Sequence, residues 1–178
     1  MKFTPAKLSG VWHLEPELRS DDRGWFARTW CEQEFAAHGL NTRWPQGNLT
    51  HTHRRGMIRG MHWQAEPRPE AKLVRCAAGA IWDVVVDVRR ESTTFGRWEA
   101  FELTAANGHQ LYVPAGFAHG FQCLVDGCEV SYLMGEFYVP ELARGIRWND
   151  PAVGIAWPVA DVFLSERDRN LPLLADVP

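Results

Sequence analysis

Hydrophobic and polar residues alternate in short runs along the middle of the chain, and this pattern predicts β-strands. The runs are rich in β-branched and aromatic residues and recur at intervals of about 8 to 12 residues, separated by Gly, Pro, Asn and Asp. They are KLVRCAAG, AIWDVVVDVRR, RWEAFELTAA, HQLYVPAG, GFQCLVDG and CEVSYLMGEFY. Strands at such regular spacing are typical of an antiparallel sandwich or barrel.

The run AIWDVVVDVRR has one apolar face and one charged face. Its even-numbered positions from 82 to 88 read Trp, Val, Val and Val, whereas the odd-numbered positions include Asp83, Asp87 and Arg89. Successive side chains of a strand point to opposite sides. We therefore expect the apolar face to pack against a core and the charged face to meet a rim, a cavity or solvent.

Helical periodicity is clear only in CEQEFAAH, from Cys31 to His38, which is followed by Gly39. Glycine is common just after the last turn of a helix. A second helical turn is predicted near Ser165, where SERD resembles a capping arrangement. Because the chain has no linker or low-complexity tract, we expect residues 1–178 to form a single all-β domain with a few short helices.

Composition and charge narrow the possible partners and location. The chain has 46% hydrophobic and 23% charged residues, a formal net charge of −3 and a pI near 6.2, so it lacks the basic excess of nucleic-acid-binding proteins. No signal-peptide core or stretch of about 18 apolar residues occurs, so we expect no membrane segment and a cytoplasmic location. The four cysteines form no CxxC pair and are expected to be reduced and mostly buried.

One stretch nearly fits the second metal-binding signature of cupin-type barrels, G(X)5PXG(X)2H(X)3N. Gly108, Pro114, Gly116 and His119 stand at the required spacing, and Cys123 replaces the final Asn. The fit predicts that the barrel is of the cupin type, a jelly roll.

The first cupin signature, G(X)5HXH(X)3–4E(X)6G, is broken. Gly56 and His62 are in place, but Gln64 replaces the second His, and Arg68 and Pro69 occupy the possible positions of the Glu. A first-row metal ion needs three or four nitrogen, oxygen or sulfur ligands. The sequence therefore predicts a cupin-type barrel without a metal site, in which His62 is free to act as a base.

From Asp22 to Pro172 the chain resembles the cupin-fold sugar-nucleotide epimerases typified by dTDP-4-dehydrorhamnose 3,5-epimerase. The resembling stretches, in the order of the family, are DDRGWF, PQGNLTHTHRRGMIRGMHWQ, KLVRCAAGAIWDVVVDVRRESTTFG, VPAGFAHGF, YLMGEFYVPE, IRWNDPAVGIAWP and LSERDRNLPLL. Substrates of that family are nucleoside-diphosphate 4-keto-6-deoxy sugars, whose C4 ketone acidifies the hydrogens on C3 and C5. Epimerisation then needs a base, a group that stabilises the enolate oxygen, and a proton donor on the opposite face, but no metal or organic cofactor.

The resemblance implies four catalytic residues. His62 matches the base, Asp168 the carboxylate that fixes its tautomer, Lys72 the cation facing the enolate, and Tyr132 the opposite-face acid. Each has a structural alternative when it is taken alone: a structural histidine, a helix cap, a surface charge and a core aromatic. In register with the motifs of the family, the catalytic roles are favoured.

The resemblance also implies a set of substrate-binding residues. They are Arg23, Arg59, His119 and Arg167 near the diphosphate, Gln46 and Asn48 in the sugar pocket, and Phe26 and Tyr138 near the nucleotide base. Arg59 precedes His62 by three residues, so on a regular strand the two point to opposite faces unless the strand bulges at Gly60.

Arg28 departs from the family pattern RGxFxE, because this chain reads RGWFAR. A glutamate can accept the N3–H of thymine, whereas an arginine has only donors. Those donors would suit O2 and N3 of cytosine or O6 and N7 of guanine. We therefore hypothesise that the substrate carries CDP or GDP instead of dTDP, with a solvent-facing arginine as the alternative.

Three questions stay open at the level of sequence. The resemblance implies a homodimer, in which the N-terminal segment of about 50 residues joins the sheet of the neighbour and Arg23, Phe26 and Arg28 reach its active site. The motifs do not choose between inversion at C3, at C5 or at both.

Two other classes of protein also remain possible at the level of sequence. One is a metal-dependent cupin enzyme such as a dioxygenase or isomerase, and the other is a non-catalytic cupin that binds a sugar nucleotide.

Overall fold

The computed structural model describes residues 1–177, which fold mainly into β-strands. The strands are β1 (Lys2–Pro5), β2 (Trp12–Glu15), β3 (Arg19–Asp21), β4 (Gly24–Phe26), β5 (Gln46–Thr52), β6 (Ile58–Gln64), β7 (Lys72–Ala78), β8 (Ala80–Asp87), β9 (Trp98–Thr104), β10 (Gln110–Val113), β11 (Phe117–Cys123), β12 (Cys128–Met134) and β13 (Ala143–Gly145). The helices are α1 (Glu32–Ala37) and α2 (Glu166–Arg169), with 3-10 turns at Pro140–Leu142 and Leu174–Asp176. The prediction of an all-β fold with a few short helices is confirmed.

Two antiparallel sheets enclose a shared interior. The six-stranded sheet has the order β1-β2-β10-β7-β12-β5, and the five-stranded sheet has the order β13-β6-β11-β8-β9. From β5 to β8, and again from β9 to β12, consecutive strands alternate between the two sheets. Strands β3 and β4 pair only with each other and form a hairpin in which every residue is exposed.

Apolar side chains fill the interior and also cover the outer face of each sheet. Between the sheets, Val85 packs in one cluster with Val130. Outside the five-stranded sheet, the C-terminal segment covers β8, where Val84 packs with Ile146. Helix α1 covers the six-stranded sheet by burying Phe35 against β2, β7 and β10.

Both faces of β8 are therefore buried. Its even-numbered apolar face packs under the C-terminal segment, as the alternation predicted. Its odd-numbered face points between the sheets, and both Asp83 and Asp87 are 0% exposed. Neither carboxylate faces solvent. Both are buried, and a buried charge requires hydrogen-bond donors.

The two predicted helices are present. α1 follows Cys31 and ends before Gly39, whose φ of +68° suits a residue without a side chain. α2 begins after Ser165, whose Oγ accepts the backbone N–H of Asp168 at 3.1 Å. Neither helix, nor any other in residues 1–177, has the length and hydrophobicity needed to cross a membrane.

One predicted strand is shifted along the chain. The run GFQCLVDG placed a strand from Gly120 to Gly127, whereas β11 spans Phe117–Cys123. Residues 124–127 bend instead, with Gly127 at a φ of +69° and the Asp126 carboxylate accepting the backbone N–H of Arg55 at 2.7 Å. The apolar Leu and Val of the run therefore belong to a turn, which the hydrophobic pattern did not separate from the strand.

All four cysteines are free thiols, as expected for reduced residues. Cys76, Cys123 and Cys128 are buried. Burial raises the pKa of the Cys76 thiol to about 12, so it stays protonated at neutral pH and behaves as a small apolar side chain.

Candidate active site

A cavity of about 680 Å³ lies between the two sheets. Its walls come from β5, β7 and β12 on one side, from β6 and β11 on the other, and from the segment that leads into α2. Ten of the thirteen predicted site residues line it: Gln46, Asn48, Arg59, His62, Lys72, His119, Tyr132, Tyr138, Arg167 and Asp168. Residues far apart in sequence thus meet in one cavity.

His62 and Asp168 form a hydrogen-bonded pair in the cavity wall. The distance from His62 Nε2 to Asp168 Oδ1 is 2.7 Å, and the carboxylate also accepts the backbone N–H of Gly60 at 3.4 Å. Burial raises the pKa of Asp168, but the hydrogen bonds from His62 and Gly60 outweigh burial and bring the pKa below its ordinary value. The ionised carboxylate holds Nε2–H, which leaves Nδ1 free to accept a proton.

The two residues of this pair differ in exposure. The side chain of His62 is 37% exposed, whereas that of Asp168 is 7% exposed. Asp168 keeps its position because its backbone N–H is bonded to Ser165 at the start of α2. The carboxylate is therefore fixed behind the imidazole, and the imidazole faces the cavity.

Arg59 and His62 line the same cavity because β6 bulges between them. On the neighbouring strand β11, His119 pairs with His62 and Phe121 pairs with Arg59, so two steps on β11 span three on β6. Gly60 has a φ of +137°, and a Cβ on it would lie 2.5 Å from the backbone of β11. The position therefore requires glycine, and the bulge brings the guanidinium to the side of the base.

Lys72 is half of a buried ion pair that the sequence analysis missed. Its Nζ lies 2.9 Å from Glu70 Oε1 and donates to the backbone carbonyl of His62 at 3.1 Å. The side chains of Lys72 and Glu70 are 8% and 6% exposed. The only signal was an acidic residue two positions before Lys72, on the same side of an extended chain.

Tyr132 stands on the sheet that faces His62 and is partly buried. Burial raises the pKa of its phenol, and the charge of Glu70 raises it further, whereas Arg59 acts in the opposite direction. The phenol is therefore protonated at neutral pH. A base and a protonated acid on opposite walls can reach the two faces of a molecule between them.

A second histidine–aspartate pair lies next to the first. His119 Nε2 is 2.7 Å from Asp83 Oδ1, and His119 pairs in register with His62. Asp83 Oδ2 is buried and has no hydrogen-bond partner within the residues that the structure describes. The alternation of β8 put Asp83 on the charged face, but its pairing with His119 depends on the register of β8 with β11, which the sequence does not show.

Gln64 occupies the position of the second histidine in the cupin signature and ties two loops together. It is 2% exposed, and its Nε2 donates to the carbonyls of Arg68 and Phe137 at 2.6 and 3.1 Å. Its Oε1 accepts the N–H of Val139 at 2.7 Å. Both ends of the amide are thus bonded to backbone. Within residues 1–177 there is no cluster of three or more His, Cys, Asp or Glu that could hold a metal ion.

The three predicted site residues outside the cavity lie in the β3–β4 hairpin and just after it. Arg23 forms an ion pair with Asp21 at 2.6 Å, and Phe26 is 69% exposed. Arg28 Nη1 lies 2.8 Å from Glu34 Oε1. None of the three lines the cavity of its own chain.

Thr50 and Thr52 also line the cavity and were not singled out from the sequence. They follow Gln46 and Asn48 on β5 at steps of two residues, so all four side chains point inward from the same strand. Extending the alternation of β5 from the two predicted residues would have found them.

Comparison with known proteins finds relatives that match along the whole chain. The sequence model of the family described as dTDP-4-dehydrorhamnose 3,5-epimerase matches residues 5–176. The dTDP-4-dehydrorhamnose 3,5-epimerase of Methanothermobacter thermautotrophicus is 43% identical over 180 residues, which cover 99% of this chain and 96% of the relative.

Solved structures give the same result. The dTDP-4-dehydrorhamnose 3,5-epimerase from Bacillus anthracis, with TDP and PPi bound, has a TM-score of 0.94 at 40% identity, covering 97% of this chain and 98% of the relative. The enzyme from Legionella pneumophila in complex with dTDP-4-keto-L-rhamnose has a TM-score of 0.94 at 32% identity, covering 99% and 94%. This similarity confirms the predicted cupin-type jelly roll.

Proposed function

The chain belongs to the dTDP-4-dehydrorhamnose 3,5-epimerase family, and from this premise we propose how its cavity acts on a sugar nucleotide. The protein is an epimerase of deoxysugar biosynthesis that inverts C3, C5 or both in a nucleoside-diphosphate 4-keto-6-deoxy sugar. The observation that carries our assignment of roles is the 2.7 Å contact between His62 and Asp168 in the cavity wall.

We assign the first proton transfer to His62. Its Nδ1 takes the proton from a carbon next to the C4 ketone, and the electron pair of the broken C–H bond moves to the ketone oxygen to give an enolate. The imidazole becomes an imidazolium, and the Asp168 carboxylate stabilises that charge through the hydrogen bond to Nε2.

We assign stabilisation of the enolate oxygen to Lys72. Its ammonium forms an ion pair with Glu70 and donates to the carbonyl of His62, so at least one of its three N–H donors is left for the substrate. A donor fixed in a buried site stabilises developing negative charge more strongly than the same group in water.

We assign the return of a proton to Tyr132. The phenol stands on the sheet opposite His62, so it can protonate the enolate carbon on the face away from the base. The enolate electrons re-form the C4 ketone and the carbon is inverted. The imidazolium then releases its proton to water and the phenolate takes one from water, which restores both groups. The same pair of groups can act at C3, at C5 or at both in turn.

The remaining cavity residues support binding of the sugar nucleotide. We place the diphosphate against Arg59, His119 and Arg167, because guanidinium groups bind phosphate oxygens through paired hydrogen bonds. Gln46 and Asn48 would contact the sugar.

We propose dTDP as the nucleotide, because relatives with bound ligands hold TDP or a dTDP-sugar. Tyr138 lines the cavity where it could stack on the base. The CDP or GDP hypothesis rests on Arg28, which in this chain is engaged by Glu34. Calorimetry with dTDP, CDP and GDP separates the two, since tightest binding of CDP or GDP would contradict the choice of dTDP.

We propose that the protein acts as a homodimer. The β3–β4 hairpin leaves Trp25 and Phe26 49% and 69% exposed, and Arg23, Phe26 and Arg28 stay outside the cavity of their own chain. A second copy would cover the aromatic surface and receive these residues at its cavity. Light scattering together with an activity assay on dilution tests this, and a fully active monomer would contradict it.

Incubation with a dTDP-4-keto-6-deoxy sugar in D2O is the test of the proposed function. NMR is expected to show deuterium at every carbon that the protein inverts, which identifies C3, C5 or both. A protein that bound the sugar nucleotide without solvent exchange at either carbon would instead be a non-catalytic cupin.

A further inference from the structure

Glu70 is a buried carboxylate, and within residues 1–177 its side chain forms an ion pair with Lys72. Its Oε1 lies 2.9 Å from Lys72 Nζ, and its side chain is 6% exposed. Its Oε2 is buried and has no hydrogen-bond partner within residues 1–177. A carboxylate that served to hold the fold together would be expected to bond several donors, so the geometry points to a role exercised through the lysine.

The ammonium of Lys72 is held by two contacts, an ion pair and a hydrogen bond, and keeps an N–H donor for the substrate. Glu70 holds it from one side, and the backbone carbonyl of His62 holds it at 3.1 Å from another. Together the two contacts restrict where the ammonium can lie in the cavity. Loss of Glu70 would let the side chain turn and would leave a buried cation without its counter-ion.

The loop that carries Glu70 is itself anchored on both sides. The Gln64 amide donates to the carbonyl of Arg68 at 2.6 Å, and the backbone N–H of Gly135 donates to the carbonyl of Ala71 at 2.8 Å. Glu70 lies between these two anchors. The glutamine that replaces a metal ligand in the cupin signature therefore helps to fix the counter-ion of the lysine.

We infer that Glu70 is a positioning residue for the epimerase reaction, which acts as the counter-ion of Lys72 and holds its ammonium toward the substrate oxygen. This inference rests on the role proposed above for Lys72. Glu70 itself makes no bond to the substrate in this account and acts on it through the lysine. Because its charge also raises the pKa of the Tyr132 phenol, the test must separate the lysine from the tyrosine.

The other ionisable groups of the cavity determine how Lys72 responds when Glu70 is neutralised. They are His62 and Arg59 from β6, His119 from β11, Tyr132 from β12, Tyr138 from the segment after it, Arg144 from β13, and Arg167 and Asp168 from α2. Among them, Asp168 is already bonded to His62, so it cannot replace Glu70 as the partner of Lys72. A buried ammonium without its counter-ion releases its proton at lower pH.

Glu70→Gln is the direct test, because it removes the charge and keeps the shape. We expect kcat for the sugar nucleotide to fall roughly tenfold to a hundredfold at pH 8, while KM changes little. We also expect the alkaline limb of the kcat–pH profile to move to lower pH, because a glutamine neither pairs with the Lys72 ammonium nor raises the pKa of the Tyr132 phenol. A purely structural role would lower activity without moving that limb.

Three further variants serve as controls. Glu66→Gln makes the same chemical change at an exposed position of the same loop and is expected to leave kcat and its pH profile unchanged. Glu70→Asp keeps the charge and should retain the alkaline limb of the native protein, even if its shorter side chain lowers kcat. In a Lys72→Met background, adding Glu70→Gln is expected to cause no further loss, since the lysine through which Glu70 acts is absent.

The results of these experiments can contradict either the inference about Glu70 or the proposed function. An unshifted alkaline limb in Glu70→Gln, or a further loss of kcat in the Lys72→Met background, would overturn the inference. Unchanged dTDP affinity and thermal midpoint in Glu70→Gln establish that the variant is folded, and if it does not fold, Glu70→Asp and the Lys72→Met pair carry the comparison. Absence of deuterium exchange in the native protein would instead overturn the proposed function, and this inference with it.

Discussion

Asp87 and Asp168 are both buried carboxylates next to a cationic or ionisable partner, yet their surroundings differ. The Asp87 oxygens accept hydrogen bonds from the backbone and guanidinium of Arg89 and from the hydroxyls of Ser92 and Thr94, at 2.6 to 3.0 Å. Asp168 accepts one short bond from His62 and a longer one from the N–H of Gly60. The Asp87 carboxylate thus accepts hydrogen bonds from several donors, whereas the Asp168 carboxylate accepts its short hydrogen bond from the imidazole of His62.

The difference separates a group that stabilises the fold from one that serves the reaction. The side-chain partners of Asp87 come from the loop directly after β8, are permanent donors, and keep the carboxylate charged. The partner of Asp168 lies 106 residues away, faces the cavity and can change its protonation state. Asp83, four residues before Asp87 on the same face of β8, resembles Asp168, since it too has a histidine partner at the cavity.

Asp168→Asn is expected to have the largest effect. The amide would present N–H to His62 Nε2, favour the wrong tautomer and lose the charge that stabilises the imidazolium. We expect kcat to fall on the order of a thousandfold. The thermal midpoint and dTDP affinity should stay close to those of the native protein. A large loss of stability with normal kcat would instead show that Asp168, like Asp87, stabilises the fold.

Asp87→Asn is expected to show the opposite behaviour. The substitution places an amide N–H₂ among groups that all donate and leaves Arg89 without its partner, so the free energy of unfolding should drop by about 3 kcal/mol. Urea denaturation measures this. Activity per folded molecule should change by less than about twofold, because the network does not reach the cavity. A loss of kcat with unchanged stability in Asp87→Asn would contradict the proposed difference between Asp87 and Asp168.

Acid titration sharpens the same contrast. Burial raises the pKa of Asp87, but the bonds from Arg89, Ser92 and Thr94 outweigh burial and lower it to about 2. Because the folded pKa lies below the unfolded value, the stabilisation is complete above about pH 4 to 5, amounts to at most about 2 kcal/mol, and is lost as pH falls toward 2. Between pH 5 and pH 3 the free energy of unfolding of the native protein should fall by about 1 kcal/mol more than that of Asp87→Asn. If the free energy of unfolding changed with pH in the same way in both proteins, the result would contradict this expectation.

Arg28→Ala is expected to have the smallest effect. Arg28 pairs with Glu34 at the surface with its side chain 63% exposed, where water and salt screen the attraction. The free energy of unfolding should be unchanged within the error of a urea titration. Selective loss of affinity for CDP or GDP in this variant would show that Arg28 reads the nucleotide, whereas unchanged affinities would leave it a surface residue.

Local patterns predicted the strands and helices well. The alternation in β8 identified its apolar face, and Gly39 and Ser165 marked the end of α1 and the start of α2. These features depend on residues within one or two turns of each other, so the sequence contains them. The shift of β11 shows the limit, because the turn residues 124–127 include apolar side chains that resemble a strand.

The site was predictable only where family motifs supplied the long-range pairing. His62 and Asp168 were paired by resemblance, and the structure places them in contact. The partners Glu70 and Asp83 were missed, because their contacts depend on an anchored loop and on strand register. The position of Arg59 likewise depended on a bulge that the sequence allowed at Gly60 but could not establish.

His62→Asn, assayed by NMR in D2O with a dTDP-4-keto-6-deoxy sugar, tests the central claim most directly. Asparagine keeps a polar side chain of similar reach but cannot accept the proton. We predict that deuterium incorporation, at whichever of C3 and C5 the native protein exchanges, falls at least about a thousandfold while dTDP affinity is retained. His53→Asn, at an exposed position, is expected to incorporate deuterium normally. Incorporation by His62→Asn at the native rate would contradict the assignment of His62 as the base.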